Sequence, residues 1–88
     1  NREAVAQHTL GLMICLSKKI SLADRMMRRS SVPAERYALA GNDLTNRTVG
    51  IVGIGHIGTR VAELCGGLFG MTVLAYDPFL SSDQIAAR

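Results

Sequence analysis

Thr48-Val49-Gly50-Ile51-Val52-Gly53-Ile54-Gly55-His56-Ile57-Gly58 joins a short apolar run to a glycine triplet of the form G-x-G-x-x-G, and Asp77 stands nineteen positions after the last glycine. A bare glycine triplet is a weak signal. Here a strand pattern precedes it, a helical pattern follows over Thr59 to Leu68, and a second apolar run, Thr72-Val73-Leu74-Ala75, ends in Tyr76-Asp77-Pro78. That order predicts strand, tight turn, helix and parallel strand over residues 48–78, the arrangement of a dinucleotide-binding βαβ unit.

Each position has a physical task. Gly53 turns the chain sharply out of the strand, because a residue without a Cβ reaches backbone angles closed to others. Gly55 leaves room for the backbone to approach a pyrophosphate, and Gly58 lets the following helix pack closely on the strand. The phosphates then sit at the helix start, where free N–H groups and the positive end of the helix dipole favour an anion without a lysine. His56 and Ile57 lie in that turn and offer backbone N–H groups. Asp77 accepts hydrogen bonds from both ribose hydroxyls of an adenosine moiety. Its carboxylate repels a 2′-phosphate, and no arginine directly follows it to accommodate one, which favours NAD over NADP. Without the glycines, Asp77-Pro78 reads as an ordinary turn after a strand.

Length limits the architecture. Eighty-eight residues hold at most one small domain, with a modest share of its surface buried. Two strands cannot close a doubly wound parallel sheet, which needs further neighbours and cover on both faces. The chain opens at Asn1 without a methionine and stops at Arg88 inside a predicted helix, residues 82–88, with Ser81-Ser82-Asp83 as its cap. The expectation is an α/β fold in which residues 1–88 form a partial NAD-binding domain, a Rossmann-type βαβ segment of a larger two-domain protein.

The formal net charge of +3 invites a nucleic-acid reading, but seven of the ten basic residues lie in the first 36 positions. On a helix such clusters form a solvated face, and no aromatic residues interleave with them to stack on bases, so no nucleic-acid partner is expected. Cys15 and Cys65 sit in apolar helical sequence without C-x-x-C spacing. They read as reduced core residues of an intracellular protein, not as a disulfide or a metal site. The apolar stretch Leu10 to Leu16 is too short to span a bilayer, and the lysines after it do not suit a signal-peptide cleavage site. No membrane association and a cytoplasmic location are expected.

Upstream of the glycines, residues 3–29 read as one long helix, free of proline and rich in good helix formers. Its first half, with Val5, Leu10, Leu12, Met13, Ile14 and Leu16, is apolar nearly all round, which predicts burial on more than one side. Its second half sets Ile20, Ala23 and Met27 against basic residues and should emerge towards solvent. Ser30-Ser31-Val32-Pro33 ends it. Residues 30–47 form a connector, with a helical turn around Glu35 to Leu39 and turn chemistry at Gly41-Asn42-Asp43 and Thr45-Asn46-Arg47. In the helix after the glycines, Val61, Ala62, Leu64, Cys65 and Leu68 should face the sheet, with Gly70 as the break before the second strand.

Three stretches together resemble the D-isomer-specific 2-hydroxyacid dehydrogenases. Ala4-Val5-Ala6-Gln7-His8-Thr9-Leu10 is similar to the V-A-E-H-T-L helix that enters that family's cofactor domain. Gly41 to Gly53 is similar to its G-x-E-L-x-G-K-T-[LV]-G-I-[IV]-G approach to the nucleotide. Phe69-Gly70-Met71-Thr72-Val73-Leu74-Ala75-Tyr76-Asp77-Pro78 is similar to its F-G-M-x-V-x-[AG]-Y-D-P. The resemblance implies an NAD-dependent oxidoreductase acting on 2-hydroxy and 2-keto acids, commonly a homodimer, in which the long helix links two domains. It implies cofactor binding by Gly53, Gly55, His56, Ile57, Gly58, Asp77 and Pro78. Thr9 matches a position that lines the nicotinamide end in some members; a small polar residue packing between helices explains it equally well.

The same resemblance puts the catalytic arginine, glutamate and histidine beyond Arg88, so no catalytic residue is assigned within residues 1–88. His8 has no recognisable carboxylate partner and reads as structural. Gln7 replaces the usual glutamate, and Asn46 stands where glycine is common yet still tolerates a left-handed turn. A non-catalytic NAD-sensing regulator or corepressor would carry the same motifs, because fold and cofactor site do not fix function.

Overall fold

The computed structural model describes residues 1–29 and 40–88. Helices α1 (Arg2–Ser17) and α2 (Ile20–Arg29) come first, followed by strand β1 (Thr48–Val52), helix α3 (His56–Phe69), strand β2 (Thr72–Tyr76) and the short helix α4 (Ser82–Ala86). The strands pair in parallel, in register from Thr48 opposite Thr72 to Val52 opposite Tyr76. This is the βαβ unit that the glycine triplet predicts.

Both strands alternate strictly. Val49 and Ile51 of β1 pack against the core, and the half-buried Val73 and Ala75 of β2, on the same face of the sheet, line a groove with Ala62 of α3 and Ile85 of α4. The opposite face is bare, with Val52 81%, Leu74 61% and Tyr76 60% exposed. A two-stranded sheet covered by one helical layer leaves that face open, in keeping with an architecture that needs further elements to close.

The core forms where α1 crosses α3. Ala6 and Leu10 from α1 meet Val61 and Cys65 from α3, and Met71 seals the end near β2. Ala6 and Cys65 are fully buried, and their small side chains let the two helices approach closely. Outside this seam Glu3 holds Arg60 through two hydrogen bonds of 2.8 and 2.9 Å, and Glu63 bridges Arg2 and Arg60 at 3.5 Å each. The Arg60 hydrogen bond lowers the Glu3 pKa, and Glu3 in turn raises that of Arg60.

Two sequence expectations fail along α1 and α2. The single helix expected over residues 3–29 is broken at Lys18 and Lys19, where Lys19 takes φ 58°. Neither glycine nor proline marks this corner; tertiary contacts hold it. The Asn42 N–H donates to the Ser17 carbonyl at 2.8 Å, and the Lys18 ammonium pairs with Asp43, so the connector caps the end of α1. Burial of α1 on more than one side is also incomplete among the described residues. Ala6 and Leu10 are buried against α3, Cys15 contacts Ser21 of α2, and Leu12 stays 59% and Leu16 82% exposed. The outward course of α2 agrees with expectation, since it has no buried residue.

The helix end at Ser30 to Pro33 and the turn around Glu35 to Leu39 lie outside the described residues. Within the rest of the connector, Asn46 adopts the left-handed turn its side chain permits, φ 62°, and its N–H donates to the Phe69 carbonyl at 3.1 Å. Gly70 ends α3 in the same region of backbone space, φ 60°. Leu68, expected to face the sheet, is 65% exposed, because Phe69 and Met71 occupy the inward places at that end. Helix α4 begins with the anticipated cap: Ser81 Oγ accepts from the Gln84 N–H, and Gln84 Oε1 accepts from the Ser81 N–H. It closes at Ala86.

Candidate functional site

Strand β1 delivers the chain to a turn whose shape the glycines set. Gly53 takes φ 98°, and its N–H donates to the Tyr76 carbonyl at 2.7 Å, fastening the start of the turn to the end of β2. Gly58 lies directly against it. A Cβ on Gly58 would fall onto the Gly53 carbonyl oxygen, well inside contact distance, so only glycine allows the first turn of α3 to approach the strand end. Gly55 is the contrary case. It has an ordinary φ of −89° and nothing within 4 Å of where a Cβ would stand.

Helix α3 starts beside that open space. Gly55 is its N-cap and no side chain caps it; the Thr59 N–H donates to the Gly55 carbonyl at 3.0 Å. The N–H groups of His56, Ile57 and Gly58 precede that bond, and a helix supplies no acceptor to them. Both His56 and Ile57 are exposed. Three backbone donors and the positive helix end therefore converge on a gap that Gly55 keeps clear.

Asp77, at the end of β2, closes the site from the other strand. One carboxylate oxygen accepts from the Ile54 N–H at 2.9 Å and the other from the Phe79 N–H at 2.8 Å. These backbone donors, Phe79 foremost, hold the Asp77 pKa below the ordinary carboxylate value. The Phe79 bond is an Asx-turn across Pro78, which is itself exposed. Asp77-Pro78 is thus a turn as well as an acid facing the glycine loop.

Gly53, Gly55, His56, Ile57, Gly58 and Asp77 lie together at one end of the sheet. Thr9 reaches the same region from α1. It is half-buried and, with Met13, Gly53, Ile57 and Gly58, lines a groove of about 570 Å³ beside the turn. Its hydroxyl donates to the Val5 carbonyl of its own helix at 2.9 Å. His8 is exposed and does not line that groove. Sequence reasoning missed Ile54 and Phe79 as the donors that orient Asp77. An aspartate two residues before a free backbone N–H was the available signal for Phe79; nothing local marks Ile54. Among the described residues no cluster of His, Cys, Asp and Glu could hold a metal ion, and no helix is long and apolar enough to cross a membrane.

The family described as D-isomer specific 2-hydroxyacid dehydrogenase, NAD binding domain, matches residues 10–88. A 2-hydroxyacid dehydrogenase homolog of Haemophilus influenzae is 46% identical over 77 residues, covering 88% of this chain and 22% of the relative. A D-3-phosphoglycerate dehydrogenase of Archaeoglobus fulgidus is 38% identical over 84 residues, covering 96% of this chain and 15% of the relative. The crystal structure of D-lactate dehydrogenase from Aquifex aeolicus, complexed with NAD and lactic acid, superposes with a TM-score of 0.70 at 32% identity, covering 98% of this chain and 25% of that one. The chain therefore spans a quarter or less of the length of each of these relatives.

Proposed function

The chain belongs to the NAD-binding domain family of the D-isomer specific 2-hydroxyacid dehydrogenases, and from that membership we propose that residues 1–88 carry the phosphate-binding and ribose-binding half of the cofactor site of an oxidoreductase. The observation that carries this reading is the uncapped start of α3 beside the open space at Gly55, with the Asp77 carboxylate fixed across from it. The N–H groups of His56, Ile57 and Gly58 hold the pyrophosphate. Gly53 and Gly58 bring them into place by their close contact. Asp77 accepts hydrogen bonds from the adenosine ribose hydroxyls and disfavours a 2′-phosphate, and Pro78 stiffens the turn beneath that ribose. Thr9 lines the nicotinamide end of the groove.

When bound, NAD supplies or accepts the hydride that interconverts a D-2-hydroxy acid and its 2-keto acid. The residues described here bind and orient; the arginine, glutamate and histidine that the family uses to hold the substrate and move its proton are not assigned to any position between Asn1 and Arg88. The full protein assembles as a homodimer through the uncovered apolar side of α1, at Leu12 and Leu16. The free thiols of Cys15 and Cys65 suit a reducing cytoplasm.

The test is NADH oxidation by the full-length parent protein against a panel of 2-keto acids, with NADH binding followed in parallel. Turnover supports the dehydrogenase and identifies its acid. Tight NADH binding without turnover supports a cofactor-sensing regulator on the same scaffold, and absence of NADH binding overturns the reading. Sedimentation of the same protein checks the dimer, which a strict monomer rejects.

A further inference from the structure

Ribose recognition leaves part of the Asp77 geometry unexplained. Both carboxylate oxygens are engaged by backbone N–H groups of this chain, one from the far side of the site. The segment they address is the one that most needs support. Gly53 and Gly55 flank Ile54, and glycine loses more conformational freedom on ordering than any other residue. Three contacts fix this stretch. The Gly53 N–H is held by the Tyr76 carbonyl, the Ile54 side chain is buried to 3% exposure, and the Ile54 N–H is held by Asp77 Oδ2.

The Asx-turn through Phe79 fixes the angle at which the carboxylate meets Ile54. An ionised carboxylate offers about four acceptor positions, so two backbone bonds still leave room for ribose hydroxyls. The lowered pKa of Asp77 agrees with a carboxylate that stays ionised in this place.

Building on the cofactor reading above, we propose that Asp77 is a positioning residue for the phosphate cradle as well as a ribose acceptor: its bond to the Ile54 N–H holds the glycine turn in its anion-accepting shape before the cofactor arrives. The two ends of the site are then coupled through one side chain. Removing the carboxylate weakens even a ligand that carries a phosphate and a nicotinamide but no adenosine ribose.

The experiment uses the full-length parent protein with two probes, NADH and reduced nicotinamide mononucleotide, and the variants Asp77→Ala and Asp77→Asn. Asp77→Ala is expected to lower affinity for the mononucleotide by about tenfold, the share of one charge-assisted hydrogen bond. Asp77→Asn keeps one carbonyl oxygen for two backbone donors, Ile54 and Phe79, and is expected to weaken mononucleotide binding less than Asp77→Ala does while losing discrimination between NADH and NADPH. Unchanged mononucleotide affinity in Asp77→Ala, with NADH weakened, overturns the proposal and leaves ribose recognition standing. Failure of the unmodified protein to bind NADH instead overturns the cofactor reading itself. A second measurement needs no variant: amide hydrogen exchange at Ile54 should be slow in the cofactor-free protein. Fast exchange that slows only when NADH is added means the ligand builds the turn, and the proposal falls.

Discussion

Gly55 and Gly58 stand three residues apart in one motif and make opposite demands. Gly58 presses on the Gly53 carbonyl, whereas Gly55 faces open space. Gly58→Ala should destabilise the protein by about 1–3 kcal/mol, the usual cost of forcing a methyl group into a filled site. Gly55→Ala should leave the denaturation midpoint unchanged and weaken NADH instead, because its methyl group enters the space reserved for phosphate. Parallel denaturant unfolding and NADH titration separate the two, and equal behaviour of the variants would refute the division. This much was legible in the glycine spacing. The dual engagement of Asp77 was not, since sequence offers ribose acceptor and turn residue as alternatives and the folded chain makes it a turn residue already. Its lowered pKa carries a pH consequence. A carboxylate whose folded pKa is depressed stabilises its contacts above the ordinary value of about 3.9 and loses them only as pH falls through the lower folded value. NADH affinity should therefore hold between about pH 7 and pH 5 as far as Asp77 is concerned. A fall centred above the ordinary carboxylate range that Asp77→Asn abolishes would contradict that assignment.

Elements end for different kinds of reason, and only some are written locally. Gly70 closes α3 at φ 60°, where an L side chain is strained, so Gly70→Ala should cost about 1 kcal/mol in thermal or denaturant unfolding. A neutral result would mean the chain relaxes the turn without loss. Gly70 and Asn46 are legible because their residue types favour the left-handed region they occupy. The corner at Lys18 and Lys19 is not, because lysine propensity favours continuing the helix and the opposing terms come from Asn42 and Asp43, more than twenty positions downstream. Leu68 illustrates a related limit. Its spacing puts it in line with Val61, but Phe69 and Met71 fill that end of the core, and periodicity cannot register the competition.

At the scale of the whole molecule, the covered seam between α1 and α3 contrasts with the bare outer face of the sheet and the open side of α1. On the function proposed above, such a segment holds half of a cofactor site and none of the proton-transfer or substrate-holding groups. A purified 1–88 fragment should accordingly show no dehydrogenase turnover with any 2-keto acid, and measurable turnover would refute the division of labour proposed above. The seam itself is built from distant partners. Glu3 and Arg60 are 57 positions apart, and Arg2 and Glu63 are 61 apart. During synthesis α1 leaves the ribosome before α3, and at about 5–20 residues per second its partner helix follows only after several seconds. For that interval Ala6 and Leu10 lack the Val61 and Cys65 side chains they pack against in the folded chain, so the nascent helix is a natural client for a holding chaperone until α3 emerges.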